Sequence, residues 1–457
     1  MGRRLLRAGK WAVFSLGAAL ALSPLAVMVA ARRAETRLDR TLRELAASGA
    51  PVELAQLAKP PIPDAENAAL VYQRAFPLIH LSDQDKDLIA RIAFEPSGLS
   101  DQTMAAKAGD LRHRNAAALR LILQATTMPR CDFRPDWGKG YDLLFPDIGK
   151  LRSSCYLLAL ESAMLLHAGR TDDAVEACAA GLRVAAAADD PTLIAELTKY
   201  AILAIASKTL VAVLGESTPS ERVCRSVAAE IARTDLIASH VDTVKAERAW
   251  GLWGFNLVRS ARNPVRAADE LSGSEPGWRY VPHRPLKNPP QHPRFVNWWL
   301  ASDELAYLEL MARAVEQAPL PYREVVRIRP SIEEQLESES PVRWPPHILT
   351  VILMPVFPDA QRPRDRAIAS LGLDQLALLL KAYHARRGEY PESLTELAAY
   401  AGRALPEDPF SGKPFAYRRE GDGFVVYSWG PNLKDDGGTP SPKDSPGEGD
   451  LVIRCVR

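Results

Sequence analysis

"DPFSGKPFAYRREGDGFVVYSWGPNLKDDGG" runs from Asp408 to Gly438. It reads as a β-hairpin followed by an acidic, glycine-rich loop, on a chain that otherwise looks helical. Strands are expected at 415–419 and 424–429, joined by a turn at 420–423. Gly421-Asp422-Gly423 supplies the positive-φ positions that a tight hairpin needs. A last strand is expected at 451–455, beyond the loop. Upstream, apolar residues recur at helical spacing from Ile368 to Tyr383, and Gly388 ends that helix. Ser393 and Glu396 form a capping box for a short second helix. A helix packed on three short antiparallel strands makes residues 366–457 a small α+β unit.

The rest of the chain reads as mainly α. It has 457 residues, 47% of them hydrophobic and 25% charged, which are ordinary globular proportions with room for two or three cores. The formal net charge is +1 and the arginines are scattered, so no nucleic-acid partner is expected. Residues 34–260 read as a helical domain. "LLHAGRTDDAVEACAAGLRVA" (165–185) is a helical hairpin broken at Gly169-Arg170, with Thr171 able to cap its second helix. It resembles a single tetratricopeptide hairpin; an antiparallel, alanine-rich bundle accounts for it equally well. Asp190-Pro191 is expected to open the next helix, Gly215 to close it, and Thr218 with Glu221 to cap another. Trp250, Trp253 and Phe255 sit at core spacing. Residues 261–365 form a proline-rich irregular region with helices. Seven prolines between 264 and 293 argue against a regular helix there. The helix resumes near Val296, and the apolar "HILTVILMPVF" (347–357) reads as buried core.

At the other end, a basic tail (1–10) precedes an uninterrupted apolar run at 11–31, from Trp11 to Ala31. At 1.5 Å per residue that run spans about 30 Å, the thickness of a bilayer core. A cleaved signal peptide would have a shorter apolar stretch. The run therefore reads as an uncleaved, single-pass transmembrane signal anchor. Basic residues on its amino-terminal side, with the free amine, place the N-terminus in the cytoplasm and the bulk of the chain outside it. The expected partner is the membrane itself, with envelope proteins beyond it.

Taken together, "GEYPESLTEL…LPEDPFSGKPFAYRREGDGFVVYSWGPNLKDDGG…GDLVI" resembles the C-terminal half of the major pseudopilin of type II secretion. The matching residues are Tyr390, Pro391, Asp408, Pro409, Gly412, Pro414, Tyr417, Tyr427, Ser428, Gly430, Asp436, Gly437, Gly438 and Asp450. The apolar run ends at Ala31, far upstream, and no Gly-Phe processing site with a following glutamate occurs. The overall plan is similar to large bacterial membrane-anchored proteins that end in such a unit. The resemblance implies a calcium-binding loop, for which Asp435, Asp436, Asp444, Glu448 and Asp450 offer the hard oxygen ligands that ion takes.

No catalytic constellation is legible. The eight histidines are dispersed, and HExxH, GxSxG and Walker A sequences are missing. His240 and Asp242 fall on different faces of a helix. The acidic run at Glu333, Glu334, Glu337 and Glu339 reads as a solvated face. The five cysteines include no CxxC pair and no metal-ligand spacing, and Cys155, Cys178 and Cys224, within helical patterns, read as core residues. The sequence thus leads to a membrane-anchored, non-enzymatic scaffold or interaction module of the cell envelope, with no catalytic residues and no cofactor other than that calcium. Second comes an accessory component of a secretion or pilus-like assembly, and third an enzyme with a site assembled from distant residues.

Overall fold

The computed structural model describes residues 24–143, 146–271, 291–338, 347–354, 361–442 and 447–455. The described chain is mainly helical and ends in a three-stranded antiparallel sheet. The apolar run at 11–31 lies outside the described residues up to position 23. Its end, with the amphipathic stretch after it, forms one unbroken helix, α1 (Pro24–Ala47). Ala31 and Leu38 are buried, and Leu42 and Leu45 pack beside them.

Four short helices follow: α2 (Ala68–Ala75), α3 (Asp83–Phe94), α4 (Gln102–Arg114) and α5 (Ala116–Thr126). A longer bundle comes next: α6 (Pro146–His167), α7 (Thr171–Ala187), α8 (Leu193–Glu216) and α9 (Glu221–Ile231). Gly169, at φ +74°, makes the expected break between α6 and α7. Gly169 N–H bonds to Leu166 O and Arg170 N–H to Leu165 O, both at 2.9 Å, which is the Schellman pattern. The expected hairpin is therefore present, packed into the bundle with α8. Close helix contact depends on small side chains here. A Cβ at Gly181 would stand 3.2 Å from the Ala206 Cβ.

The expected caps shift by one or two residues. Thr171 is the first residue of α7, behind Arg170. α8 starts at Leu193, where the Thr192 hydroxyl accepts from Ala195 N–H, and runs one residue past Gly215. α9 is capped by Ser220 instead of Thr218. The selection is tertiary: the Asp172 carboxylate accepts from both the N–H (2.8 Å) and the hydroxyl (2.6 Å) of Ser220 and holds it in place.

α8 is the one helix among the described residues that is long and apolar enough to cross a membrane. In this fold it is a core helix, with Ile202, Leu210, Val213 and Leu214 fully enclosed. Its apolar length needs neighbours; α6, α7 and a long helix near the C-terminus supply them, while Ile194 and Leu197 near its start stay exposed.

A second group surrounds α10 (Leu236–Ser260), α11 (Pro264–Leu271) and α12 (Arg294–Gln317). α11 corrects the expectation of no regular helix among these prolines. Pro264 is its first residue, where the missing N–H has no helical partner to lose. Residues 272–290 lie outside the described set. α12 starts at Arg294, slightly ahead of the expected Val296, and runs alongside α1. Leu38, Val244, Leu252, Phe255, Trp299 and Tyr307 form the core of this group. Trp250 and Trp253 are half-buried and pack around Trp137 and Leu54. Three short helices follow: α13 (Tyr322–Val325), α14 (Ile332–Ser338) and α15 (Ile348–Leu353). α15 carries the apolar segment expected as core; Leu349 and Thr350 are buried, and Val351 faces outward. Glu333 and Glu334, on α14, are exposed as expected.

α16 (Gln361–Arg387) joins the C-terminal unit to the body. One face packs on α8 and α9, and the other on the sheet and on α17 (Leu394–Ala401). Leu376, Leu380, Phe424 and Ile453 belong to one apolar core that also takes in α6 to α9. Gly372 permits this approach, because a Cβ there would lie 2.7 Å from the Phe415 ring. Gly388, at φ +81°, ends α16.

A two-residue pairing of β1 (Glu407–Asp408) with β2 (Lys413–Pro414) precedes the sheet. Then come β3 (Ala416–Glu420), β4 (Gly423–Ser428) and β5 (Leu451–Cys455), within a residue of their expected positions. The order is β3-β4-β5, antiparallel throughout, with Glu420 opposite Gly423 and Phe424 opposite Cys455. Gly421, at φ +55°, begins the two-residue turn. β4 is buried along its whole length.

Candidate functional site

The residues that carry the pseudopilin-like motif are largely occupied in holding the unit together. Asp408 is buried, and its Oδ1 accepts from the Ser428 hydroxyl (2.6 Å) and Phe410 N–H (3.1 Å). Its Oδ2 accepts from the N–H groups of Ser411 and Trp429, both at 3.2 Å. The Tyr417 hydroxyl donates to Pro391 O at 2.7 Å. Gly430, at φ +70°, leaves no room for a Cβ, which would fall 2.5 Å from Gly449 O.

The loop residues considered for calcium are placed as follows. Asp450 is buried, with its carboxylate accepting from Gly438 N–H (2.6 Å) and Asp436 N–H (3.3 Å). Burial pushes its carboxyl above the ordinary range, against the pull of those donors. Asp435 accepts from the Tyr427 hydroxyl (3.1 Å) and Gly437 N–H (3.0 Å), and Asp436 from the Asn432 amide at 2.7 Å. Glu448 is exposed, and Asp444 lies outside the described residues. The structure thus gathers Asp435, Asp436 and Asp450 around one loop, with both oxygens of Asp450 and one each of Asp435 and Asp436 turned to protein donors. Among the described residues, no group of three or more His, Cys, Asp or Glu side chains is arranged to hold a metal.

Two polar features lie elsewhere. A cleft of about 280 Å³ opens between the end of α8, α16 and the β3–β4 turn, lined in part by Thr218, Lys381, His384, Tyr390, Arg419 and Cys455. The Lys381 ammonium donates to Ser217 O at 3.1 Å. His384 stacks on Tyr390 with ring centres 4.6 Å apart. Arg419 pairs with Glu392 and stands 3.8 Å from Glu389. Burial raises the Cys455 thiol and works against thiolate formation. Burial likewise pushes the Cys178 and Cys224 thiols up to about 12, as befits core residues.

The second feature is a buried polar seam where α8, α10 and α16 meet. His240 is fully enclosed, and its Nδ1 lies 3.0 and 3.1 Å from the two carboxylate oxygens of Glu196. The Tyr200 hydroxyl donates to the same carboxylate at 2.5 Å. One turn separates Glu196 from Tyr200, so α8 presents both to His240 from one face. Burial first, then the charge of Glu196, pushes the Tyr200 phenol far above its ordinary range. Lys199 bridges Asp189 (3.1 Å) and the Ser239 hydroxyl (2.9 Å). Glu247 accepts from Leu193 N–H at 2.7 Å. Burial pushes its carboxyl up to about 7, with the Glu196 charge adding to the rise and the Leu193 N–H opposing it. On α16, Arg364 is fully buried and donates to Asp365, Ala318 O and Leu320 O, while Asp365 accepts from Tyr322 N–H at 2.6 Å.

Asp242, set apart from His240 by sequence, is indeed on another face, beside Lys245 at 3.6 Å. The partner of His240 is Glu196, 44 positions away, which local spacing does not reveal. The signal that was present is a Glu, a Lys and a Tyr (196, 199 and 200) within about one turn of a mainly apolar helix. The enclosure of the seam keeps His240 from a dissolved substrate. Its Nε2 has no hydrogen-bond partner among the described residues.

Comparison with known proteins finds no matching family, curated protein or solved structure.

Proposed function

We propose that the chain is a membrane-tethered, non-enzymatic interaction module with its bulk outside the cytoplasm. The observation that carries this reading is the continuity of α1. It begins inside the apolar run, at Pro24, and continues unbroken to Ala47 along α12. Residues 24–47 would then hold the end of such a tether against the body. Arg32 and Arg33, exposed at the junction, are suited to lipid headgroups. The shared core of α16, the sheet and the bundle supports a body that presents one fixed surface to envelope partners.

Fractionation tests the reading. The full chain should stay with membranes through a carbonate wash, and external protease should cut its body in spheroplasts. A chain lacking residues 1–31 should leave the membrane. Recovery of the full chain in the soluble fraction, or a body protected from protease, would overturn the proposal. Crosslinking and capture then separate envelope partners in general from subunits of a secretion assembly.

A further inference from the structure

We propose that the end of the body formed by the close of α12 and the turn after it sits in the headgroup layer of the phospholipid bilayer. This rests on the tether reading and adds a contact that a tether alone does not require. α1 and α12 run antiparallel. Arg37 pairs with Glu309 at 2.7 Å, while Asp39, further along α1, lies within electrostatic reach of Glu304, earlier in α12. The start of α1 therefore lies beside the end of α12, its main neighbour.

The packing begins inside the apolar run. Ala31 is buried, and Val27, Met28 and Ala30 are half-buried, while Val29 stays exposed. Length then sets the depth of the body. If residues 24–31 stood clear of the bilayer on the flank of the body, only residues 11–23 would remain to cross it. Those thirteen residues reach about 20 Å as a helix, against about 30 Å of hydrocarbon. For the run to span, residues 24–31 must lie at bilayer depth. What packs beside them must then meet the headgroups.

The composition at that end suits such a layer. The turn after α12 reads "APLPYREVVRIRP" (318–330). Tyr322, Val325, Val326 and Ile328 are only partly covered, and Arg327 and Arg329 are exposed. Tyrosine and arginine favour a membrane interface, because each joins an apolar stem to a polar end. Glu316 and Glu324 are exposed at the same end. This mixed charge fits headgroups that carry phosphate and ammonium together better than it fits a polyanion. The turn is tied to the body at both ends. Arg364 donates to Leu320 O and Arg313 to Pro330 O, each at 2.7 Å.

The test attaches a bimane fluorophore to one introduced cysteine in the full chain, reconstituted in phosphatidylcholine vesicles. A phosphatidylcholine with a nitroxide near its headgroup is the quencher. The unsubstituted chain, labelled in the same way, gives the background from the native cysteines. Val29→Cys reports on the tether and Arg327→Cys on the proposed face. Asp422→Cys is the remote reference, since Asp422 lines the cleft with His384, about 30 Å along α16 from Arg364. The labels at 29 and 327 should be quenched at least twofold more than the label at 422. Arg329→Cys, a second exposed site on the face, should behave as Arg327→Cys does. The proposal is overturned if the labels at 327 and 329 are quenched no more than the label at 422. Quenching at 29 would in that case leave the tether standing, with the body clear of the bilayer or its face covered by another protein. No quenching at 29 either would bring down the tether reading as well.

Discussion

The carboxylate of Asp408 accepts a 2.6 Å hydrogen bond from the hydroxyl of Ser428, twenty residues further along the chain. That contact closes the turn at 408–412 onto the end of the central strand. Three backbone N–H groups converge on the same carboxylate, so one side chain sets both the turn and the strand end. Hydrogen bonds to a charged group contribute about 1.5–3 kcal/mol each, and enclosed donors left without a partner add to the loss. Asp408→Ala should therefore destabilise the protein by roughly 3 kcal/mol or more, and Ser428→Ala by about 1 kcal/mol. Urea unfolding measures both. Equal, small effects would mean that the turn does not depend on Asp408.

The Glu196–His240 contact makes a second prediction. Glu196→Ala strips partners from both the Tyr200 hydroxyl and the His240 ring, and a loss of about 3 kcal/mol or more is expected. Tyr200→Phe removes a donor without leaving one orphaned, so about 1 kcal/mol is expected. A double-mutant cycle on Glu196 and His240 should give a clear coupling energy. Additive losses would show that the two side chains are merely neighbours.

Stability should fall as pH rises through neutrality. Burial pushes Glu247, Asp303 and Asp374 each up to about 7, in every case above the ordinary carboxylate value. Across that interval the folded chain holds more protons than the unfolded one. The stabilisation is complete below the unfolded values near 4 and is lost as pH passes about 7. Tm should therefore be higher at pH 5.5 than at pH 8. Asp374→Asn should flatten part of that slope, because its carboxyl, bonded only to the Ser207 hydroxyl at 3.0 Å, can no longer titrate. A Tm that climbs between pH 5.5 and 8 would contradict this account.

Gly372→Ala tests the junction between body and sheet. The new Cβ would press on the Phe415 ring, and overpacking of a tight core costs about 1–3 kcal/mol. Phe415→Leu should recover part of that loss when combined with Gly372→Ala, although alone it destabilises by opening a cavity. No recovery in the double variant would show that α16 and β3 already yield.

Much of the local structure was legible in the residues alone. β3, β4 and β5, the Gly169 break, the end of α16 at Gly388 and the Ser393 cap all follow from backbone preferences that act within a few positions. A glycine at positive φ, or alternation across a pleat, needs no distant partner to be recognised. The choice of Ser220 over Thr218 was not legible, because both hydroxyls satisfy the local rule and Asp172 selects one. α11 was missed because seven prolines in the segment outweighed the one that opens a helix.

The sequence by itself determined a helical chain with a terminal three-stranded unit, and an apolar stretch at its beginning. Only tertiary structure decided that α16 unites the sheet and bundle in one core. It alone brought Glu196 to His240. Periodicity records which face of a helix is apolar. It does not record which distant helix covers that face, or whether a buried charge meets its opposite there.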